Sequence, residues 1–433
     1  MIVFDEILPV IAAILREHPG LAPFVINRDL SGRVRLIFSE KSQEDGNIGI
    51  LAEKMSERLV PHGFPADKMV IFEPSLESVK ENVPCFPLEG FENTAVVDRL
   101  ALEADWSDMR PLSEGAPRIV FFSIKGGVGR STAAAAAAWA LAQKRQRVMI
   151  LDMDLESPGL STYLLPEERR PKHGIADWLV EDLVDNGDSL LDDMFALSEL
   201  SHDGAIYVVP AHGKDPGEYV SKLGRVWMPK VCREGVRMSW TCRLERLLTQ
   251  LETRLRPDVI FIDSRAGIDE ISSACVTGLG AKKILLFASN SEQTWTGYNI
   301  LFKYWLRTGV AAEIRDRLQM VGAMLPATDN VKYFNGLCER AWNLFRDSLY
   351  DEVPAGEVGE NAFSYDKDEE SAPHFPWKIR WNQEFSSLRS IHDRMMEIDG
   401  DEIDSIFGSL IGGVLSVIDT VKPLENKRGD AHE

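Results

Sequence analysis

Apolar positions fall into two regimes along the chain. From Met1 to about residue 115 the regime is mixed. Phe4 to Leu15 has helical spacing, and Ala22 to Ile26 and Val34 to Phe38 are short β-like runs around the turn Asp29-Leu30-Ser31-Gly32. Ile48 to Leu59 is helical again and Met69 to Phe72 is strand-like, so residues 1–115 are expected to form a small α+β domain. The polar stretch Asp105 to Pro117, with its prolines and glycine, reads as a linker. From Arg118 dense apolar runs recur at Ile119–Phe122, Val148–Leu151, Ala205–Val209, Val259–Ile262, Ile284–Phe287 and Met320–Leu325, with helical stretches between them. Runs this dense suit strands buried on both faces. The alternation predicts an α/β domain over 116–422: a mainly parallel twisted sheet flanked by helices. Near the end, Ile403, Phe407, Leu410, Ile411, Val414, Val417, Ile418 and Val421 keep helical spacing, Asn361–Pro376 reads as an acidic loop, and 423–433 as a frayed tail.

Composition narrows the function classes. At 433 residues the chain is too long for one small core, and 44% hydrophobic with 27% charged residues is ordinary for a folded protein. A formal net charge of -20 opposes non-specific binding to DNA or anionic lipid. The start Met1-Ile2-Val3-Phe4-Asp5-Glu6 lacks the basic region of a secretion signal, and no apolar run is long enough to span a bilayer. Cys85, Cys232, Cys242, Cys275 and Cys338 are scattered without metal-ligand spacing, as expected of reduced thiols in a cytoplasmic protein.

One segment carries clear chemistry. Phe122-Ser123-Ile124-Lys125-Gly126-Gly127-Val128-Gly129-Arg130-Ser131-Thr132 follows an apolar strand and precedes the alanine-rich run Ala133–Leu141, a strong helix former. Phosphate binding needs converging backbone N–H groups and a helix N-terminus. Gly126, Gly127 and Gly129 let the backbone turn tightly and approach an anion closely, and the Ser131 hydroxyl is placed for Mg²⁺. Two aspartate-bearing strand ends complete the pattern: Leu151-Asp152-Met153-Asp154, leading through Leu155, Glu156, Ser157 and Pro158 to Gly159, and Asp258-Val259-Ile260-Phe261-Ile262-Asp263-Ser264-Arg265-Ala266-Gly267.

Lys-Gly-Gly-Val-Gly-x-Ser-Thr headed by a lysine resembles the deviant Walker A motif of MinD/ParA-type P-loop ATPases, with the resemblance extending over about 118–420. It implies a nucleotide-sandwich homodimer with ATP, in which Lys125 reaches the partner subunit's phosphates. Lys125, Gly126, Gly127, Val128, Gly129, Arg130, Ser131 and Thr132 are then nucleotide-binding, and Gly267 senses the γ-phosphate through its N–H. Ser131, Asp263 and Asp152 organise Mg²⁺, while Asp154, Lys125 and Arg130 serve catalysis, with Asp154 orienting the attacking water. Leu151–Leu160 and Asp258–Gly267 resemble the family's two switch segments, and for Arg265 phosphate, a switch carboxylate, the facing subunit and a surface salt bridge stay open. The family usually has lysine where Arg130 stands, and the Lys-Gly-Gly-Val-Gly-Arg form resembles a variant subgroup often seen near signalling or phage-conflict functions. Arginine keeps the charge but is longer and forked, which implies slow hydrolysis. The asparagine that often reads adenine is absent from Gly322-Ala323-Met324-Leu325-Pro326, so adenine against guanine stays open, and Pro373-His374-Phe375-Pro376 resembles the loop that covers the base.

Other features weigh less. Lys222 to Arg256 is locally basic with Trp227 and Trp240 interleaved, a pattern for nucleic acid or for a salt-bridged helix face. Asp399, Asp401, Glu402 and Asp404 before the C-terminal apolar stripe argue for packing on the sheet rather than for a membrane surface. The expectation is a Mg²⁺-dependent ATPase switch that controls a protein partner through its N-terminal domain. The alternatives are a nucleotide-dependent scaffold with little turnover and, less favoured because no tyrosine follows Tyr365, a bacterial-type tyrosine kinase.

Overall fold

The computed structural model describes residues 1–81, 83–100, 105–232, 235–328, 330–352, 362–386 and 391–420. Two compact units emerge: Met1–Glu103 with Tyr304–Ala311, and Ala104–Lys303 with Ala312–Glu433. Val421, Arg233, Glu234, the start of the acidic loop at Asn361 and the tail 423–433 lie outside the described residues.

The first unit holds a five-stranded sheet of β1 (Phe24–Arg28), β2 (Val34–Ser39), β3 (Val70–Glu73), β4 (Cys85–Leu88) and β5 (Phe91–Asp98), in the order β3-β2-β1-β5-β4. The β1/β2 and β4/β5 pairs are antiparallel; β1/β5 and β2/β3 are parallel. Helices Ile7–Arg16 and Gly46–Arg58 cover one face through Ile7, Ile11, Ile14, Ile48, Leu51 and Met55. The expected helices and first three strands are present. β4 and β5 are additional, because Pro87 and the polar start of β5 at Glu92 and Asn93 interrupt the alternation that a sequence reading relies on.

The second unit carries eight strands in one sheet: β6 (Arg118–Ser123), β7 (Arg147–Asp152), β8 (Ala196–Leu197), β9 (Ala205–Val209), β12 (Val259–Ala266), β13 (Lys283–Ala288), β14 (Leu318–Leu325) and β15 (Trp377–Arg380). A separate two-stranded hairpin contains β10 (Lys230–Val231) and β11 (Arg237–Met238). The order is β15-β14-β13-β6-β12-β7-β9-β8, and every neighbouring pair is parallel except β8/β9. This is the mainly parallel, helix-flanked α/β architecture that the apolar runs predict. Strand β6 is buried along its whole length and sits centrally, with β12 on one side and β13 on the other. Ligands of such sheets bind beyond the carboxyl ends of the strands, where the strand order reverses.

The helix Arg130–Gln143 explains its own composition. Ala133 to Ala138, Ala140 and Ala142 are all buried. Small side chains let this helix pack between the sheet residues Ile119, Phe121, Ile150 and Phe261 and the C-terminal helix Gly400–Asp419, whose Ile403, Phe407, Leu410 and Val414 share the same core. The C-terminal stripe therefore faces the interior. No helix among the described residues is long and apolar enough to cross a membrane. Asp105–Pro117 does not hang free: Arg110 N–H donates to the Thr277 carbonyl at 2.9 Å and Ser113 N–H to the Gly280 carbonyl at 3.0 Å, both within the second unit.

Candidate nucleotide site

The loop after β6 has the backbone that its glycines allow. Gly127 (φ 72°) and Gly129 (φ 78°) are left-handed, and Gly129 is the N-cap of the helix Arg130–Gln143. A Cβ built on Gly126, Gly127 or Gly129 meets nothing within 4 Å, so the loop faces open space. The amides of these three glycines donate to no described residue, leaving unsatisfied donors around a helix N-terminus. Lys125 is exposed and pairs with no described residue, whereas Val128 is buried and anchors the loop on the core. Ser131 and Thr132 are half-buried at the first turn of the helix.

Arg130 turns inward. It is 8% exposed, and its Nε donates to Asp263 Oδ1 at 2.7 Å and its Nη1 to Ser123 Oγ at 3.2 Å. Its Nη2 lies 4.0 Å from Asp154 Oδ2. Burial opposes the charge of Arg130, but Asp263, Asp154 and Asp152 outweigh it and raise the guanidinium above its ordinary value. Asp263 and Asp152 are paired across β12 and β7 in the parallel register, both almost wholly buried. Burial first, then Asp263 and Asp154, pushes Asp152 up to about 7. Asp152 accepts from Asp154 N–H at 3.3 Å and from Gly159 N–H at 3.2 Å, which curls the segment after β7 around its carboxylate. Asp154 accepts from Ser157 N–H at 3.1 Å, and burial raises its pKa as well.

Asp263 and Asp154 thus meet Arg130, and Asp152 stands beside Asp263 across the sheet. Gly267 (φ 105°) stands at the end of β12, but its N–H donates to the Ser123 carbonyl at 2.9 Å. Several partners were not legible in the sequence. Ser123 receives Arg130; its position at the last residue of β6 is the one available hint. Tyr219, far along the chain, donates its hydroxyl to the Leu155 carbonyl at 2.7 Å. Arg265, for which the sequence leaves phosphate, switch carboxylate and facing subunit open, contacts switch carboxylates: Glu156 Oε2 lies 2.7 Å from its Nη1.

The donor set fits a polyphosphate with Mg²⁺. Free amides line the loop, the Ser131 hydroxyl lies in the first turn after it, and Asp154 and Asp263 share one buried arginine with Asp152 next to Asp263. Among the described residues no three or more His, Cys, Asp or Glu converge as a ready cage, and Mg²⁺ needs none, because it is held by one or two carboxylates plus substrate phosphates.

The basic stretch Lys222–Arg256 follows the salt-bridged one of its two readings. Lys222 pairs with Asp177 at 2.6 Å, Lys230 and Arg243 pair with Asp182 at 2.9 and 2.6 Å, Arg246 also pairs with Asp182, and Arg254 pairs with Asp192 at 3.0 Å. These cations neutralise carboxylates of the same unit rather than forming a free nucleic-acid face. In the proline-bearing loop, His374 is buried, facing Tyr350 and the Lys367 carbonyl.

Residues 116–180, which carry the loop and the first aspartate pair, match the family model described as ParA: NUBPL iron-transfer P-loop NTPase. This segment is therefore similar to the P-loop segment of that family. Among solved structures, pNOB8 ParA bound to nonspecific DNA is 16% identical with a TM-score of 0.45, over 71% of this chain and 100% of that one. MinD from Pyrococcus horikoshii complexed with Mg-ADP is 18% identical with a TM-score of 0.41, over 69% and 96%. A Cyanothece McdA–ATP complex is 15% identical with a TM-score of 0.43, over 72% and 99%. No curated protein matches the sequence.

Proposed function

We propose that this protein is a Mg²⁺-dependent ATP-binding and ATP-hydrolysing switch. The observation that carries the proposal is the cluster of Asp154 and Asp263 on Arg130, with Asp152 beside Asp263, next to a glycine loop whose amides face open space. The free amides of Gly126, Gly127 and Gly129 and the helix N-terminus bind phosphates, with Arg130 leaving Asp263 to join them. Ser131, Asp263 and Asp152 hold the metal, which when bound neutralises charge on the β- and γ-phosphates. Asp154 stands at the mouth to orient water. Arg130 already holds a wall carboxylate and a wall hydroxyl, so withdrawing it costs interactions that a shorter lysine makes less well. This supports slow turnover.

Exposed, unpaired Lys125 supports closure of two subunits over nucleotide, with each lysine completing the facing site. Residues 1–115 then serve as the effector part through which closure acts on a partner protein, and 116–422 as the ATPase part. The tests are steady-state phosphate release and molar mass in solution without nucleotide, with ADP, and with a slowly hydrolysed ATP analogue. Mass is expected to double with the analogue alone, and Asp154→Ala to lower release at least about a hundredfold. Unchanged release in that variant removes Asp154 from its role, and a constant mass removes the switch. A scaffold with little turnover is the second reading, favoured by the Arg130–Asp263 pair; it holds if the analogue doubles the mass while release stays at background.

A further inference from the structure

The end of β12 is irregular in a way that aims one side chain. Its register with β6 shifts between Asp263 and Ala266, so Ser264 and Arg265 bulge out of the ladder. The Arg265 carbonyl is held there by the hydroxyls of Ser272 at 3.0 Å and Ser264 at 3.3 Å. The Arg265 guanidinium meets acidic groups on the segments that follow β7 and β12. Its Nη1 pairs with Glu156 Oε2 at 2.7 Å, and its Nε lies 3.6 Å from Asp269 Oδ2 and 4.0 Å from Asp154 Oδ1. Asp269 in turn caps the helix Glu270–Ser273 by accepting from Ser272 N–H at 2.8 Å.

Asp154 therefore lies between two arginines. Arg130 Nη2 faces Oδ2 and Arg265 Nε faces Oδ1, each at 4.0 Å, and among the described residues the one close bond its carboxylate accepts is from Ser157 N–H. The two arginines differ in their freedom. Arg130 is the residue a phosphate would draw away, whereas Arg265 is 32% exposed and tied to Glu156 and Asp269 outside the loop mouth. Without Arg265, Glu156 and Asp269 would lose the cation they share and Asp154 would keep Arg130 alone, leaving three like charges with no common partner.

We propose that Arg265 is a positioning residue: it clamps the segment after β7 to the segment after β12 and keeps Asp154 aimed at the loop mouth when Arg130 moves to phosphate. The role in turnover rests on the ATPase reading, while the clamp itself does not. It makes Arg265 the route by which a change at one switch segment is felt at the other.

The test uses the full chain and three variants, Arg265→Ala, Arg265→Lys and Glu156→Gln. In nucleotide-free protein, amide hydrogen exchange is followed in peptides covering 152–160 and 266–273. Arg265→Ala is expected to speed exchange in both segments by about tenfold. Arg265→Lys, which keeps the charge without the fork, is expected to recover part of the protection, and Glu156→Gln to speed exchange at 152–160. In turnover, Arg265→Ala is expected to lower kcat by about tenfold or more while KM and the Kd of a fluorescent ATP analogue stay within about threefold. Unchanged exchange at 152–160 in Arg265→Ala overturns the clamp, and an unchanged kcat overturns the positioning role. A wild-type protein that neither binds nor hydrolyses ATP sinks the ATPase reading and the positioning role with it, while the exchange data still decide the clamp.

Discussion

Two buried charge clusters in the second unit are built from the same groups in opposite proportion. At the loop mouth one buried arginine, Arg130, faces Asp152, Asp154 and Asp263. At the end of the helix Ile175–Asp182, one fully buried carboxylate, Asp182, is met by three cations: Lys230 at 2.9 Å, Arg243 at 2.6 Å and Arg246. Most of the remaining donors of the second cluster are also engaged, as Lys230 reaches Asp185 at 2.6 Å and Arg243 reaches the carbonyls of Met228 and Leu179, while Arg246 Nε is buried without a partner among the described residues. The pKa directions follow. Burial works against Asp182, but hydrogen bonds from Arg243 and Lys230 hold it below the ordinary carboxylate range, whereas burial and two like charges push Asp152 up to about 7. The difference separates a structural knot from a site. A carboxylate wrapped by cations is complete, whereas carboxylates in excess over their arginine are poised for a further cation or a proton.

Breaking the knot has the largest expected effect. Asp182→Ala leaves fully buried Arg243 without its carboxylate and is expected to cost roughly 3–5 kcal/mol in urea unfolding. Because the folded-state pKa of Asp182 is depressed, its contribution in the wild type is present above pH about 4 and lost as pH falls through the folded value. A loss below about 1 kcal/mol would show that the cluster is not a knot.

Asp152→Asn tests the other side of the contrast. The folded state binds a proton that the unfolded state releases at lower pH, so Asp152 makes the wild type progressively less stable from pH about 4 to about 7. The variant is expected to match the wild type below pH 4 and to gain stability above pH 7, by up to about 4 kcal/mol at roughly 1.4 kcal/mol per pKa unit. Thermal unfolding at the two pH values checks this, and a destabilised variant at pH 8 would mean that the loop mouth is knotted too.

Arg130→Lys sharpens the comparison at the level of function. Lysine cannot hold Asp263 and Ser123 together through a fork, so phosphate release is expected to rise about tenfold with a change in stability under about 1 kcal/mol. A slower enzyme would show that the fork itself serves turnover. The smallest effect is expected at an exposed ion pair of the same helix as Arg243. Arg254→Ala removes an exposed pair with Asp192 and is expected to change unfolding by less than about 0.5 kcal/mol, which a chemical melt would confirm as no resolvable shift.

How far the sequence could be read follows from how local each feature is. The loop was legible because its glycines, the preceding apolar strand and the following helix former are contiguous. Asp152 and Asp263 were legible because each ends a run of apolar strand residues. The role of Lys222–Arg256 was not, since Asp177 and Asp182 lie before it on another helix and no spacing rule links them. β15 escaped notice because Trp377–Arg380 is an edge strand with a mixed burial pattern. Arg265 was visible as a residue but not as a clamp, because its aim depends on a bulge set by the pairing of β12 with β6.

By itself the sequence determined the parallel, helix-flanked sheet, the phosphate loop and the two aspartate-bearing strand ends. These depend on backbone preference and apolar periodicity, which consecutive residues encode. Only the tertiary structure decided which charges meet: that Arg130 lies against Asp263 and Ser123, that Arg265 spans the segments after β7 and β12, and that Asp182 gathers three cations from later in the chain. Electrostatic pairing depends on distance and burial after folding, and neither is written in the order of residues along the chain.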